Sequence, residues 1–213
     1  MDDSMKKKQE RVGLFGGTFD PIHLGHINLA LSLLEAHQLD RVIFCPAAVS
    51  PFKDAAPPKA SKEERKEMVS IAIKKITPFS LLESELERKG LSYTIDTILD
   101  VLAIAKSKDE ELDLFLLLGE DALAHFHLWK DVEEILAKVK PLVGARSVDQ
   151  KISFPREMSA SIEKALREGI TDIPILDISS TMIRKRLGEG KYCGHLVPPD
   201  VLSFIHTHKL YLT

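Results

Sequence analysis

The sequence predicts an α/β fold built around a parallel β-sheet, and two observations support that class. Short apolar runs alternate with longer segments of helical periodicity from one end of the chain to the other, which is typical of successive βαβ units. The composition, with 44% hydrophobic and 29% charged residues, is that of an ordinary globular protein, and one core can serve 213 residues. We therefore expect a single domain over residues 11–213, preceded by a flexible N-terminal tail over residues 1–10.

Six short apolar runs have the length and composition of buried strands. They cover residues 11–16, 41–45, 79–83, 113–118, 140–145 and 173–178. Helical periodicity predicts helices at about residues 24–36, 62–75, 94–106, 131–138, 159–168, 180–187 and 199–207. Ser61 and Glu64 form a capping box at the start of the second helix. The stretch before it, residues 46–59, contains four prolines and no periodicity, so it is expected to be a long loop.

The charge and the apolar pattern argue against two classes of partner. A formal net charge of −3 gives no global positive field to attract nucleic acid or an anionic membrane, so we expect neither. No apolar run approaches the ~20 residues of a membrane-spanning helix, and no signal-peptide stretch is present. Cys45 and Cys193 lack the spacing of a zinc site or a disulfide framework. These features predict a cytoplasmic protein, and they leave open whether it forms a homo-oligomer.

The segment GGTFDPIHLGH, residues 16–26, follows the first predicted strand and runs into the first helix. Gly16 and Gly17 let the backbone turn tightly and approach a ligand closely. His23 and His26 share one face of the first helical turn, where free N–H groups and the helix dipole favour an anion such as phosphate. A metal site is disfavoured because the pair lacks a third ligand at a suitable spacing. The alternative is a glycine-rich turn with two surface histidines.

A second segment, ISSTMIRKRL at residues 178–187, follows the last predicted strand and opens another helix. Ser179 or Ser180 can cap that helix, and Ser180 and Arg184 stand one turn apart with Thr181 beside them. Hydroxyls, N–H groups and a guanidinium together suit a polyphosphate, although a capped basic surface helix would show the same pattern. Both segments begin at the carboxyl ends of predicted parallel strands, where open α/β sheets bind ligands. We therefore expect the two segments to share one crevice.

Together these signatures resemble those of the HxGH-class nucleotidyltransferases, and the chain is similar to the bacterial nicotinate-nucleotide adenylyltransferase family over nearly all of residues 11–211. Three further blocks follow in the order of that branch: LERKGLSYTIDT (86–97), LGEDALAHFHLWKD (118–131) and VPPDVLSFIHTHKLY (197–211). The resemblance implies a Rossmann-like, doubly wound parallel sheet. It also implies an enzyme that transfers the adenylyl group of ATP to nicotinate mononucleotide, giving pyrophosphate and nicotinate adenine dinucleotide on the way to NAD.

The resemblance further implies roles for individual residues of this chain. On the ATP side, phosphate contacts and charge stabilisation would come from His23, His26 and Arg184, and the remaining contacts from Ser180, Thr181, Gly16, Gly17 and Thr18. On the acceptor side, Asp121 would bind a ribose hydroxyl, Thr94 and Lys53 would place the acceptor, and Trp129 would stack on its pyridine ring. The residue types alone leave other roles open, because an aspartate can cap a helix and a lone tryptophan can serve packing.

The acceptor loop departs from the family pattern, which usually ends in Pro-His-Lys. This chain has Ser50-Pro51-Phe52-Lys53 instead, which leaves the loop's contacts with the acceptor open.

The expected chemistry needs no general base. The acceptor phosphate is already an anion and can attack the α-phosphorus of ATP directly, so catalysis reduces to positioning and charge stabilisation. Mg²⁺ is expected to enter with ATP, because the sequence offers no carboxylate cluster as a dedicated site. Alternative acceptors are nicotinamide mononucleotide and phosphopantetheine. From a different class, the chain could be a noncatalytic ATP-sensing module or, less in keeping with its charge, an aminoacyl-tRNA synthetase fragment.

Overall fold

The computed structural model describes residues 9–48, 57–88, 90–145, 152–174 and 176–212. The strands are β1 (Glu10–Gly17), β2 (Arg41–Pro46), β3 (Phe79–Leu81), β4 (Leu112–Gly119), β5 (Lys140–Ala145) and β6 (Ile170–Asp172). The α-helices are α1 (Leu24–Ala36), α2 (Lys62–Ile73), α3 (Ser84–Glu87), α4 (Thr94–Ser107), α5 (Val132–Lys138), α6 (Ala160–Gly169), α7 (Ser180–Gly188) and α8 (Pro199–Thr207). Two short 3-10 helices, Glu120–Ala124 and Phe126–Leu128, follow β4.

All six strands pair in parallel, in the order β3-β2-β1-β4-β5-β6. This arrangement confirms the predicted α/β class with one parallel sheet. The winding reverses between β1 and β4, because the chain first builds β2 and β3 on one side of β1 and then crosses to the other side. A crevice opens at such a reversal, outside the carboxyl ends of the two central strands, and it is the usual ligand site of an open α/β sheet.

Alternation of side chains along the strands produces two hydrophobic cores, one on each face of the sheet. Val12 and Leu14 of β1 belong to a core shared with α4, α5 and α6. Phe15, the next residue of β1, belongs to a second core shared with α1, α2, α7 and α8. The sheet is therefore covered by helices on both faces, as the doubly wound fold requires. None of the described helices has the length and apolar character needed to cross a bilayer.

The sixth strand lies earlier in the sequence than predicted. The apolar run at residues 173–178 predicted a strand, but β6 spans Ile170–Asp172 and pairs with β5 from Val143 to Ala145. Pro174 has no N–H to donate to a ladder, so it cannot extend the pairing. The prediction of a strand at residues 173–178 is therefore wrong, and the second sequence signature begins after an irregular connection rather than directly at a strand end.

Local sequence signals account for most of the remaining elements. The predicted capping box is present, since the Glu64 N–H donates to Ser61 Oγ at 3.2 Å and the Ser61 N–H donates to Glu64 Oε2 at 2.7 Å. The short helix α3 and the two 3-10 helices were not predicted. Each is too short to show helical periodicity, which needs a window of about 11 residues or more.

Candidate active site

Two adjoining cavities open at the carboxyl ends of β1 and β4. The larger cavity has a volume of about 840 Å³ and the smaller cavity a volume of about 250 Å³. Residues 16–18, at the end of β1, line both cavities, and so do Asp121 and Trp129, which follow β4. Ligands in the two cavities would therefore meet at the same short backbone segment after β1.

The larger cavity brings the two sequence signatures together. His23 and His26 from the first signature and Ser180, Thr181 and Arg184 from the second all line its walls. Two helices begin here, α1 at Leu24 and α7 at Ser180. The positive ends of two helix dipoles therefore face the cavity, although the N–H groups of Leu24 and Met182 already donate to Leu196 O and Ser179 Oγ. This combination suits a ligand with several phosphate groups.

The two histidines form one stacked unit at the start of α1. Their rings lie nearly parallel, with centroids 3.7 Å apart and an interplanar angle of 22°. The backbone N–H of His23 donates to His26 Nδ1 at 3.2 Å, which fixes the orientation of the His26 ring. Phe19 closes the unit on the other side, with its ring edge-on to His26 at 5.0 Å. The local sequence thus sets how the two imidazoles pack at the start of α1.

Burial sets the charge state of His23. Its side chain is only 5% exposed, and this desolvation lowers its pKa from 6.5 to about 4. Its Nδ1 atom is buried and has no hydrogen-bond partner in the described part of the chain. Gly25 makes this packing feasible, because a Cβ there would lie 3.0 Å from His23 Nδ1. His23 therefore presents a neutral imidazole to the cavity at pH 7.

Arg184 and Ser180 join the second signature directly to the first. Arg184 Nη1 donates to the backbone carbonyl of Asp20 at 2.6 Å, and Nη2 donates to Thr181 Oγ1 at 3.2 Å. Ser180 Oγ donates to the carbonyl of Pro21 at 2.9 Å, while Ser179 caps α7 by accepting from the Met182 N–H. These bonds set the distance between the N-termini of α1 and α7, so the polar walls of the larger cavity are fixed relative to each other.

The smaller cavity is lined by three of the four residues that the resemblance assigned to the acceptor. Thr94 is the first residue of α4 and lines this cavity, whereas Asp121 and Trp129 line both cavities. The Trp129 ring packs against Phe126, with centroids 4.9 Å apart. Lys53, together with Ser50 and Phe52, lies outside the described residues, so its expected role stays a prediction.

Two buried polar residues near the cavities escaped the sequence analysis. Arg65 on α2 is 1% exposed and donates to the backbone carbonyls of Thr18, Ala47 and Ala48 at 2.8, 2.6 and 3.1 Å. The sequence showed only an amphipathic helix there, although an arginine on the apolar stripe of a helix is itself a signal. Glu85 lines the smaller cavity, is 6% exposed and accepts a hydrogen bond from Thr97.

The described ranges contain no group of three or more His, Cys, Asp or Glu side chains placed to hold a metal ion. The cationic and hydroxyl groups around the larger cavity are donors, which suit the oxygens of a phosphate chain rather than a bare cation.

Comparison with known proteins agrees with this geometry. The model of the cytidylyltransferase-like family matches residues 14–186. The probable nicotinate-nucleotide adenylyltransferase of Clostridium acetobutylicum is 38% identical over 210 residues, which cover 98% of this chain and 100% of that protein. The probable nicotinate-nucleotide adenylyltransferase of Dictyoglomus thermophilum is 37% identical over 202 residues, covering 95% and 100% of the two chains.

Solved structures support the fold. The nicotinic acid mononucleotide adenylyltransferase of Plasmodium falciparum, complexed with APC, superposes with a TM-score of 0.71 at 18% identity, covering 95% of this chain and 98% of that one. Its complex with NaAD gives a TM-score of 0.68 at 19% identity, again covering 95% and 98%. With the sequence matches, these findings confirm the resemblance seen in the sequence: the chain belongs to the cytidylyltransferase-like family and, within it, to the nicotinate-nucleotide adenylyltransferases.

Proposed function

We propose that this protein transfers the adenylyl group of ATP to nicotinate mononucleotide, releasing pyrophosphate and forming nicotinate adenine dinucleotide for NAD biosynthesis. One observation carries the proposal. The larger cavity, lined by both phosphate signatures, meets the smaller cavity at residues 16–18. A triphosphate nucleotide in the first and a mononucleotide in the second would bring their phosphates together there. The bacterial relatives described above carry the name of the same enzyme, probable nicotinate-nucleotide adenylyltransferase.

The ATP side of the site is built from donors. Arg184 supplies a guanidinium already held by two hydrogen bonds, Thr181 adds a hydroxyl, and Ser180 and Thr181 add N–H groups at the first turn of α7. His23 and His26 face the triphosphate from the start of α1. Gly16, Gly17 and Thr18 form the floor between the two cavities. This set holds the triphosphate between the N-termini of two helices, where negative charge is most stabilised.

The acceptor side combines an aromatic surface with polar groups. Trp129 offers a flat aromatic surface for the pyridine ring. Asp121 lies at the junction of the cavities, where its carboxylate can accept a hydrogen bond from a ribose hydroxyl. Thr94, at the start of α4, offers a hydroxyl and a free helix N–H toward the acceptor. Lys53 would add a cation from the loop after β2.

The reaction follows from this placement. An oxygen of the acceptor phosphate attacks the α-phosphorus of ATP, a new P–O bond forms, and the bond from the α-phosphorus to the bridging oxygen breaks in line with it. The electron pair leaves with pyrophosphate. No proton has to be removed from the nucleophile, so the protein contributes orientation and charge stabilisation. His23, His26 and Arg184 stabilise the charge that develops on the α-phosphate and the leaving group.

Mg²⁺ belongs to the substrate in this proposal. Mg²⁺ keeps several waters and is commonly bound through substrate phosphates with few protein ligands. The phosphate oxygens of ATP would be its main ligands here. The ion would neutralise part of the triphosphate charge, while the residues of this chain orient the phosphates around it.

The direct test is pyrophosphate release with MgATP and three acceptors measured side by side: nicotinate mononucleotide, its amide, and phosphopantetheine. We expect release with nicotinate mononucleotide at the highest kcat/KM. Release with the amide or phosphopantetheine alone would assign the enzyme to a different acceptor. Absence of release with all three would refute adenylyl transfer.

The same assay tests the histidine pair. Replacement of His26 by Ala should lower kcat by about 100-fold or more, because a positioned donor to the developing charge is lost. The exposed His206 on α8 provides the matched control, and His206→Ala should keep normal turnover. Near-normal turnover in a folded His26→Ala variant would remove His26 from the mechanism.

A further inference from the structure

The carboxylate of Asp20 connects four distant parts of the chain beside the larger cavity. Asp20 is 4% exposed. Its Oδ2 accepts from the Lys59 N–H at 2.8 Å and lies 3.7 Å from Arg184 Nη1. Its Oδ1 accepts from the Ala60 N–H at 3.1 Å and from the hydroxyl of Tyr211 at 2.7 Å. Both oxygens of the carboxylate are therefore directed by partners, and one of them faces the guanidinium at the triphosphate site.

Among these partners, Tyr211 lies outside both cavities and both sequence signatures and reaches Asp20 through its side chain. It follows α8, and its hydroxyl is the sole side-chain donor among the hydrogen bonds to this carboxylate, the other two donors being backbone N–H groups. Its φ angle is +61°, in the left-handed region that residues with a Cβ seldom occupy. A residue persists in that region only when its surroundings hold it there.

Tyr211 is held by core packing and by a hydrogen bond to Asp20, which lines the larger cavity. Its ring is partly buried and packs against the core formed by α1, α2, α7 and α8, and its hydroxyl reaches Asp20. Asp20 in turn contacts Arg184 through two atoms, the backbone oxygen and Oδ2. Tyr211 is thus linked to Arg184 through Asp20, although Tyr211 itself lines neither cavity.

We infer that Tyr211 is a positioning residue for ATP: its hydroxyl orients the Asp20 carboxylate, which holds the Arg184 guanidinium in the geometry that receives the triphosphate. The inference rests on the proposed function where it concerns the KM for ATP. The effect of the Tyr211 hydroxyl on the affinity for ATP does not depend on which acceptor the enzyme uses. Without that hydroxyl only two backbone N–H groups hold the carboxylate, and Arg184 loses part of its alignment.

The experiment uses Tyr211→Phe, which keeps the ring and removes only the hydroxyl. We expect the KM for ATP, and the Kd for MgATP measured by calorimetry without acceptor, to rise about tenfold, in the range for a lost hydrogen bond to a charged group. The KM for nicotinate mononucleotide should stay within about twofold, because the smaller cavity does not touch this network. Tyr192→Phe is the matched control: Tyr192 is 73% exposed and lines neither cavity, so both constants should stay unchanged.

A double-mutant cycle separates positioning from general stabilisation. In an Arg184→Ala background, Tyr211→Phe should have no further effect on ATP affinity, because the group through which it acts is gone. Equal effects in both backgrounds, an ATP Kd within about twofold of the unmodified protein, or unfolding of Tyr211→Phe would each overturn the inference. An unmodified protein that binds MgATP without turnover would refute the proposed function alone, since the binding comparison would still decide the role of Tyr211.

Discussion

At the scale of single residues, His23 combines two properties that usually conflict, a polar side chain and a nearly complete loss of solvent. Desolvation lowers its pKa from 6.5 to about 4 in the folded protein. Between these values the unfolded state binds more protons than the folded state. The contribution of His23 to stability is therefore fully present above about pH 6.5 and is lost as the pH falls toward about 4.

The expected result is a loss on the order of 3 kcal/mol of unfolding free energy from this group between pH 6.5 and 4. Urea unfolding at a series of pH values measures it. In His23→Asn, which cannot titrate, the decline should be shallower by that amount, whereas His206→Asn, at an exposed position, should keep the decline of the unmodified protein. Parallel pH profiles for the unmodified protein and His23→Asn would show that His23 is not the titrating group.

Gly16 lines both cavities, so a side chain at this position should affect activity more than stability. A Cβ at Gly16 would meet no atom within 4 Å, and the residue has no unusual φ, so the strand can accept a side chain. Gly16→Leu should therefore fold with an unfolding midpoint close to that of the unmodified protein. It should lose adenylyl transfer by about 100-fold or more, since the leucine would occupy the meeting point of the two phosphates.

Gly16→Ala, with one added carbon, provides the graded control and should lose less activity than Gly16→Leu. Circular dichroism melting and pyrophosphate release on the same preparations check both parts of the prediction. Full activity in Gly16→Leu would mean that the reacting phosphates do not meet above β1.

At the scale of elements, α2 stabilises the site through one buried cation. Arg65 satisfies the carbonyls of Thr18, Ala47 and Ala48, which belong to the loops after β1 and β2. Arg65→Met keeps much of the volume and leaves these carbonyls without donors, which should cost roughly 3 kcal/mol of unfolding free energy. Since Thr18 and Ala47 line the smaller cavity, the KM for the acceptor should also rise.

Denaturant unfolding and acceptor kinetics together measure this prediction. Lys74→Met, at an exposed position just after α2, removes the same charge and should change neither quantity. Arg65→Lys should recover only part of the stability, because an ammonium cannot reach three carbonyls in the geometry of a guanidinium. Normal stability in Arg65→Met would indicate that water or a rearranged loop replaces the guanidinium.

Apolar composition identifies the buried central strands but not where the edge of the sheet pairs. β1, β2, β4 and β5 were predicted to within two residues because buried parallel strands read as continuous apolar runs. The run at residues 173–178 has the same composition, but pairing depends on position relative to β5 and on the missing N–H of Pro174, which composition does not reveal. Arg65 and Tyr211 were missed for a related reason, since their partners lie in segments distant in sequence.

At the scale of the whole molecule, the doubly wound topology determines where the two cavities lie. The reversal of winding between β1 and β4 places Gly17 and the segment after Gly119 side by side, and the helices that follow supply the polar side chains. The position of the first signature at the carboxyl end of β1 was predictable, whereas the second signature follows an irregular connection after β6 instead of the expected strand end. The division of the site into two adjoining cavities was not predictable, since that depends on the 3-10 helices after β4 and on Trp129.

The two cavities share residues 16–18, and this has a consequence for binding of the product. Nicotinate adenine dinucleotide carries both nucleotide halves, so it should occupy both cavities at once and compete with ATP and with nicotinate mononucleotide. At about 100 times its Kd it should stabilise the protein by about 2.7 kcal/mol, which raises the Tm by about 5–10 °C for a chain of this size. At equal concentration, ATP or the mononucleotide alone should give a smaller shift, because each fills one cavity.

Thermal melts and product-inhibition kinetics measure the effect, and Gly16→Leu should abolish it. A product that competes with only one substrate would mean that the two cavities do not act as one site.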